Sequence, residues 1–111
     1  MDPTPRRLIA FRSDDATRYG VSCAVLLAYF EQRLSDADAG PTVRVSASAL
    51  ANAVLVLSTS QVRRALSKLI DAGAVAATHE GDPVRGRFAQ TDRTLSYSLP
   101  DLTERLASAG S

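Results

Sequence analysis

The stretch Ser58–Val75, S-T-S-Q-V-R-R-A-L-S-K-L-I-D-A-G-A-V, constrains the fold more than any other part of the chain. It specifies a helix with a defined start, a defined stop and two unlike faces. Ser58 and Gln61 have the spacing of a capping box, in which the hydroxyl accepts from a first-turn N–H and the amide side chain reaches back. Val62, Leu66, Leu69 and Ile70 recur at helical spacing and form one apolar stripe. Gly73 supplies the left-handed residue that closes such a helix. At about 100° per residue, Ser60, Arg64, Ser67, Lys68 and Asp71 fall opposite the stripe, and Gln61 and Arg63 flank it. A helix of this kind lies on a core with its polar side in solvent.

The neighbouring segments say what it packs with. Val43-Arg44-Val45 alternates like a short strand. Ser46 or Ser48 suits an N-cap for a helix over Ala47–Val54, which is rich in helix formers and too short to stand alone. Leu50 and Val54 lie one turn apart and face the helix at Ser58. A short helix, a tight turn and a longer capped helix make a helix-turn-helix. Ala74–Glu80 then reads as a strand, and the alternation of Leu95, Tyr97 and Leu99 with Ser96 and Ser98 reads as its partner. The loop between them holds two Gly, one Pro and three Arg, the composition of an exposed hairpin tip.

These side chains have a chemistry in common. On the outer face and first turn of the long helix stand Ser58, Thr59, Ser60, Gln61, Arg63, Arg64 and Lys68. Arg pairs bidentately with guanine, Gln with adenine, and Ser or Lys with phosphate. The helix N-terminus adds free N–H groups and a positive dipole end. Arg85, Arg87 and Arg93 in the hairpin loop suit phosphate or minor-groove contacts, although Glu80, Asp82 and Asp92 offset their charge. A charged helix face is most often only a solvated surface; here the flanking elements favour a binding role.

The pattern S-x-S-x-L-A followed by L-S-x-S-x-V-R-R-A-L-x-K-L-x-x-A-G-x-V, running from Ser46 to Val75, resembles the winged helix-turn-helix domains of many small bacterial and phage regulators. The run F-R-S-D-D-A-T-R-Y-G-V-S-C-A-V-L-L-A-Y-F from Phe11 resembles the opening of winged-helix domains in phage and plasmid replication proteins. Leu34 departs from that group, which often has a bulky aromatic residue there. The resemblance implies an α+β fold, with a three-helix core, a β-hairpin wing and extra short helices at both ends. It implies sequence-specific binding of double-stranded DNA through a recognition helix at about 58–72 and a wing at about 80–93. The role it implies is transcription regulation, or replication or partition of a phage or plasmid. The alternative is a protein-interaction module on the same scaffold, since fold does not fix function.

Composition narrows the classes further. The 111 residues suffice for one core. The expected organisation is a loose arm over 1–10, one domain over 11–106 and a frayed end over 107–111. Formal net charge is +1, which argues against a nonspecific DNA packager. Between Val43 and Ala74, however, Arg44, Arg63, Arg64 and Lys68 stand against Asp71 alone. One Cys precludes an internal disulfide, and Cys23 is read as a small buried hydrophobe. The single His79 has no ligand cluster around it in the sequence, so no metal is expected, and no cofactor is implied. Asp14 and Asp15 are read as helix-start residues matched to the dipole. No phosphate loop and no nucleophile–His pairing is legible, so the chain does not read as an enzyme. The Met1–Arg7 stretch has no apolar core behind it and Val21–Phe30 is too short to span a bilayer, so the expected location is cytoplasmic, without a membrane partner.

Ser13-Asp14-Asp15 suits the start of a short helix that Gly20 closes, and Ser22 suits the cap of the next. In that second helix Cys23, Leu26, Leu27, Phe30 and Leu34 form one apolar face, and Val25, Ala28 and Tyr29 a second. A helix apolar on two sides is central or shared with another subunit; the reading taken is a homodimer through Val25, Ala28 and Tyr29. At the C-terminus, Asp101 and Glu104 have capping-box spacing ahead of Leu102 and Leu106.

Overall fold

The computed structural model describes residues 12–35, 42–54, 56–90 and 93–109. The expected N-terminal arm lies outside them, as does the linker holding Asp36 and Asp38. The architecture is α+β. Helices α1 (Ser13–Tyr19) and α2 (Val21–Leu34) precede strand β1 (Val43–Val45). Helices α3 (Ala47–Val54) and α4 (Thr59–Asp71) follow, then β2 (Ala76–His79), β3 (Asp82–Pro83), a 3-10 helix (Gly86–Gln90), β4 (Leu95–Ser98) and α5 (Leu102–Ala109). The four strands form one antiparallel sheet in the order β1-β4-β2-β3.

Local chemistry explains the boundaries. Ser58 Oγ accepts from the Gln61 N–H at 3.2 Å, and Gln61 Oε1 accepts from the Ser58 N–H at 2.8 Å, so the capping box is complete. Gly73 takes φ 80°, and the Ala74 N–H closes α4 on the Leu69 carbonyl at 3.0 Å. This closure uses Ala74 and Val75, whose N–H also reaches Leu69, and so the strand starts at Ala76 rather than Ala74. Ser46, not Ser48, caps α3: its Oγ accepts from the Ala49 N–H at 3.2 Å. Between α1 and α2 the chain turns on Gly20 at φ 100°. The Gly20 carbonyl already accepts from the Ala24 N–H, so α2 begins at Val21 and Ser22 lies inside it rather than capping it.

The core lies between the sheet and the helices. Tyr97, Phe30, Leu26, Leu27, Leu50, Leu66, Leu69, Leu95, Val62 and Val75 are its fully buried large side chains. The Phe30 and Tyr97 rings pack at 5.2 Å, joining α2 to β4. Helix α2 is the hub: it touches α1, α3, α4, α5, β1 and β4. This corrects the expectation for Val25, which is 4% exposed and belongs to the chain's own core. The second apolar face of α2 exists because the helix is central. Ala28 and Tyr29 are half-buried, and Tyr29 meets Phe30 edge-on.

The ends are held by charge. Arg105 of α5 donates to Asp15 of α1 at 2.6 Å and to Glu31 of α2 at 2.9 Å, and Arg12 donates to Glu31 at 3.0 Å and to the Arg105 carbonyl at 2.7 Å. Asp15 is thus not merely a helix-start residue: it is buried and paired with Arg105. Burial works against the Arg105 charge, but Asp15 and then Glu31 outweigh it and raise its pKa above the ordinary value. Helix α5 spans Leu102–Ala109.

The connection from β2 to β4 differs most from expectation. It is not one open hairpin tip. Glu80 and Gly81, at φ 53° and 88°, form a two-residue turn that folds β3 back on β2, with His79 opposite Asp82. The chain then forms the 3-10 helix, which packs against α4. The Gly86 N–H donates to Asp71 Oδ1 at 3.0 Å, and Gly86 itself is buried. Among the described residues no helix is long and apolar enough to cross a membrane.

Candidate nucleic-acid interface

Three faces run along α4. Val62, Ala65, Leu66 and Leu69 hold it to the core. A second strip, Arg63, Ser67 and Ile70, is half-buried. The 3-10 helix covers part of it: a Cβ built on Gly86 would collide with the Ser67 carbonyl oxygen. Ser67 and Asp71, expected to face solvent freely, therefore hold the β2–β4 connection in place. Arg63 shares this flank, and its Nε is shielded from solvent.

The third strip faces outward. Ser60, Gln61, Arg64 and Lys68 are exposed, while Thr59 is half-buried. Gln61 has two tasks that compete. Its Oε1 is engaged by the Ser58 N–H, so only its amide NH2 is free to donate outward. Bidentate pairing with adenine needs both ends of that amide. Ser58 Oγ accepts from the Gln61 N–H, which leaves its O–H to donate outward. Arg64 makes no hydrogen bond or ion pair with the described residues, so its guanidinium is available. Lys68 spans to the neighbouring helix pair, donating to the Tyr19 carbonyl at 2.8 Å.

That contact joins α4 to the α1–α2 corner and creates a shallow groove of ≈ 260 Å³, bordered by Gly20, Ser22, Gln61, Arg64 and Lys68. Among the described residues no side chain caps the start of α2. The first N–H groups of a helix have no partner within it, and here they open beside two cations. The sequence signal for this corner is Tyr19-Gly20-Val21-Ser22, one helix closing as the next begins. It locates the break without showing that Lys68 comes to it. Cys23, behind the groove, contacts the Ala65 carbonyl through Sγ at 3.7 Å. Burial pushes its thiol up, only partly offset by Lys68, which keeps it protonated and unreactive at neutral pH.

Of the loop arginines, Arg85 and Arg87 are exposed on or beside the 3-10 helix. Arg93 lies ahead of β4, with its guanidinium 5.8 Å from the ring of Phe88 in that 3-10 helix. The Phe88 ring in turn meets His79 at 5.3 Å. The structure thus sets Ser60, Gln61, Arg64 and Lys68 on one outward strip, places Arg85 and Arg87 on or beside a segment braced to the same helix, and lays Arg93 against Phe88 of that segment. Among the described residues no group of three or more His, Cys, Asp or Glu side chains is placed to hold a metal.

No protein-family model, curated protein or solved structure matches this chain.

Proposed function

We propose that this chain is a sequence-specific binder of duplex DNA, with a winged helix-turn-helix arrangement in which α3 and α4 form the helix pair and the β2–β4 connection forms the wing. The observation that carries the reading is the outward strip of α4 beside the uncapped start of α2. Arg64 stands free to read a base edge. Lys68 and the first N–H groups of α2 form a pair of donors suited to one phosphate. Arg85 and Arg87 extend the donor set on the braced segment. Such a protein serves transcription regulation, or replication or partition of a phage or plasmid.

A second copy fits this reading through the half-buried Ala28 and Tyr29 without Val25. Two α4 helices then enter successive major grooves about 34–36 Å apart on a pseudo-palindromic site. The runner-up, a protein-interaction module, draws on the exposed Val21 and Val56. Selection of duplex DNA by the purified protein, followed by gel-shift titration, separates the two. Arg64→Ala is expected to cost about 1–3 kcal/mol and to relax preference at one position. Affinity should also fall steeply as salt rises. Unchanged affinity in a folded Arg64→Ala protein refutes base reading by Arg64, and salt-independent binding refutes the DNA reading as a whole.

A further inference from the structure

The far side of the sheet carries a polar groove to which the DNA reading assigns no contact. Strand register sets Arg44 of β1 opposite Ser96 of β4, and Ser96 opposite Thr78 of β2. Strand alternation turns these three away from the core, because their neighbours Val43, Leu95, Tyr97 and Ala77 are buried on the inner face. Arg93 and Thr94, just ahead of β4, also line the groove, which has a volume of ≈ 610 Å³. That is the size of a small-ligand site. His79 and Glu80 also line it. The Glu80 carboxylate lies 3.6 Å from His79 Nε2 and is largely in solvent.

The lining is rich in donors. It offers two guanidiniums and the hydroxyls of Thr78, Thr94 and Ser96. Neither arginine forms an ion pair with the described residues; Arg93 rests near the Phe88 ring, which leaves its N–H fork free to bond. No aliphatic, Phe or Tyr side chain lines the groove to favour an apolar ligand. A tetrahedral oxyanion matches it, since Arg forks and hydroxyls both donate to phosphate oxygens. We propose that this groove on the outer face of the sheet binds a phosphoryl group, with Arg44 and Arg93 supplying the charge and Thr78, Thr94 and Ser96 orienting the oxygens. No residue of the outward strip of α4 lines the groove, so the proposal stands whether or not α4 binds DNA. Arg93, at the end of the β2–β4 connection, lines this groove.

Phosphoryl groups come from small phosphorylated ligands or from a nucleic-acid backbone. The test is an amide NMR titration of the full chain, with inorganic pyrophosphate in one arm and a duplex oligonucleotide in the other, at constant ionic strength. Pyrophosphate is expected to shift the Thr78, Thr94 and Ser96 amides saturably. Arg44→Ala and Arg93→Ala should each weaken that binding about tenfold or more, as loss of a charge-assisted hydrogen bond implies. Arg18→Ala, on α1, should leave it unchanged. Both arginines of the groove are exposed, and the spectra themselves report that the variants remain folded. If the duplex shifts the same amides with the same dependence on Arg44 and Arg93, the backbone is the source; if it leaves them unmoved, the source is a free ligand. Shifts that grow linearly without saturation, or saturable shifts that survive both substitutions, overturn the proposal.

Discussion

Gly86→Ala separates steric packing from backbone freedom by the sign of its effect. Gly86 does not occupy the left-handed region, which the described glycines Gly20, Gly73 and Gly81 do. On backbone grounds alone, alanine there stabilises by about 0.4–1 kcal/mol, because the unfolded chain loses freedom. The packing gives the opposite answer. An added Cβ falls on the Ser67 carbonyl oxygen and 2.5 Å from Asp71 Oδ1. Helix α4 cannot retreat, since Val62, Leu66 and Leu69 anchor it in the core. The 3-10 helix must lift instead. Lifting it breaks the bond from the Gly86 N–H to Asp71, worth about 1.5 kcal/mol given that Asp71 is exposed. It also loosens Val84 and Phe88, which pack at the edge of the core, for roughly 1–2 kcal/mol more. After the unfolded-state gain, the net loss is about 2 kcal/mol. Urea denaturation followed by circular dichroism measures it. Asp71→Ala removes only the hydrogen bond and should cost about 1.5 kcal/mol. The double variant should lose less than the two separately, because both act on one brace. A Gly86→Ala protein as stable as the parent, or more stable, refutes the close approach.

Arg105→Ala leaves the buried Asp15 carboxylate without its partner and should cost about 2–4 kcal/mol in the same assay, with Arg105→Lys recovering part of it. Burial pushes the Tyr97 phenol up to about 12, so the native state holds that proton more tightly than the unfolded chain does. Its contribution, about 3 kcal/mol, is therefore complete below the ordinary phenol pKa near 10 and is lost as pH rises through about 12; Tyr97→Phe should flatten this alkaline loss, read by circular dichroism against phenolate absorbance. Gln61→Glu keeps an acceptor for the Ser58 N–H but no donor for a base, so it should preserve stability and weaken DNA binding, whereas Gln61→Ala should lose about 1 kcal/mol of stability as well. Equal effects of the two Gln61 variants on both readouts contradict the double role.

What the sequence made legible was local. The Ser58–Gln61 box, the Gly73 stop and the alternation around Tyr97 each depend on residues within a few positions of one another, and each appears in the fold. What stayed hidden depends on distance or on unusual backbone. The pairing of Asp15 with Arg105 joins residues 90 positions apart, and nothing near Asp15 distinguishes it from a helix-start carboxylate. Two-residue hairpin turns usually carry Asn or Asp before Gly. Glu80 takes that position at φ 53°, so the tight β2–β3 hairpin gave no clear signal. The apolar second face of α2 was visible, but a pattern on one helix cannot say whether the chain itself or another copy covers it. Val25 shows that the chain does so at that position.

Packing on two sides limits how α4 can work. A helix of 13 residues offers a narrow circumference, and here every side is assigned. One side is core, and a second carries the 3-10 helix through Ser67 and Asp71. The third, from Ser60 to Lys68, is all that remains for a partner, and its first member able to read a base with both ends free is Arg64 rather than Gln61. The brace at Gly86 then matters for recognition as well as stability. Arg85 and Arg87 flank Gly86, and its bond to Asp71 sets their distance from Arg64. A swinging loop would let the two donor sets adjust independently to many sites. A fixed spacing favours sites in which base edge and backbone are offset by that one distance, so part of the specificity proposed for α4 would reside in a glycine that contacts no DNA.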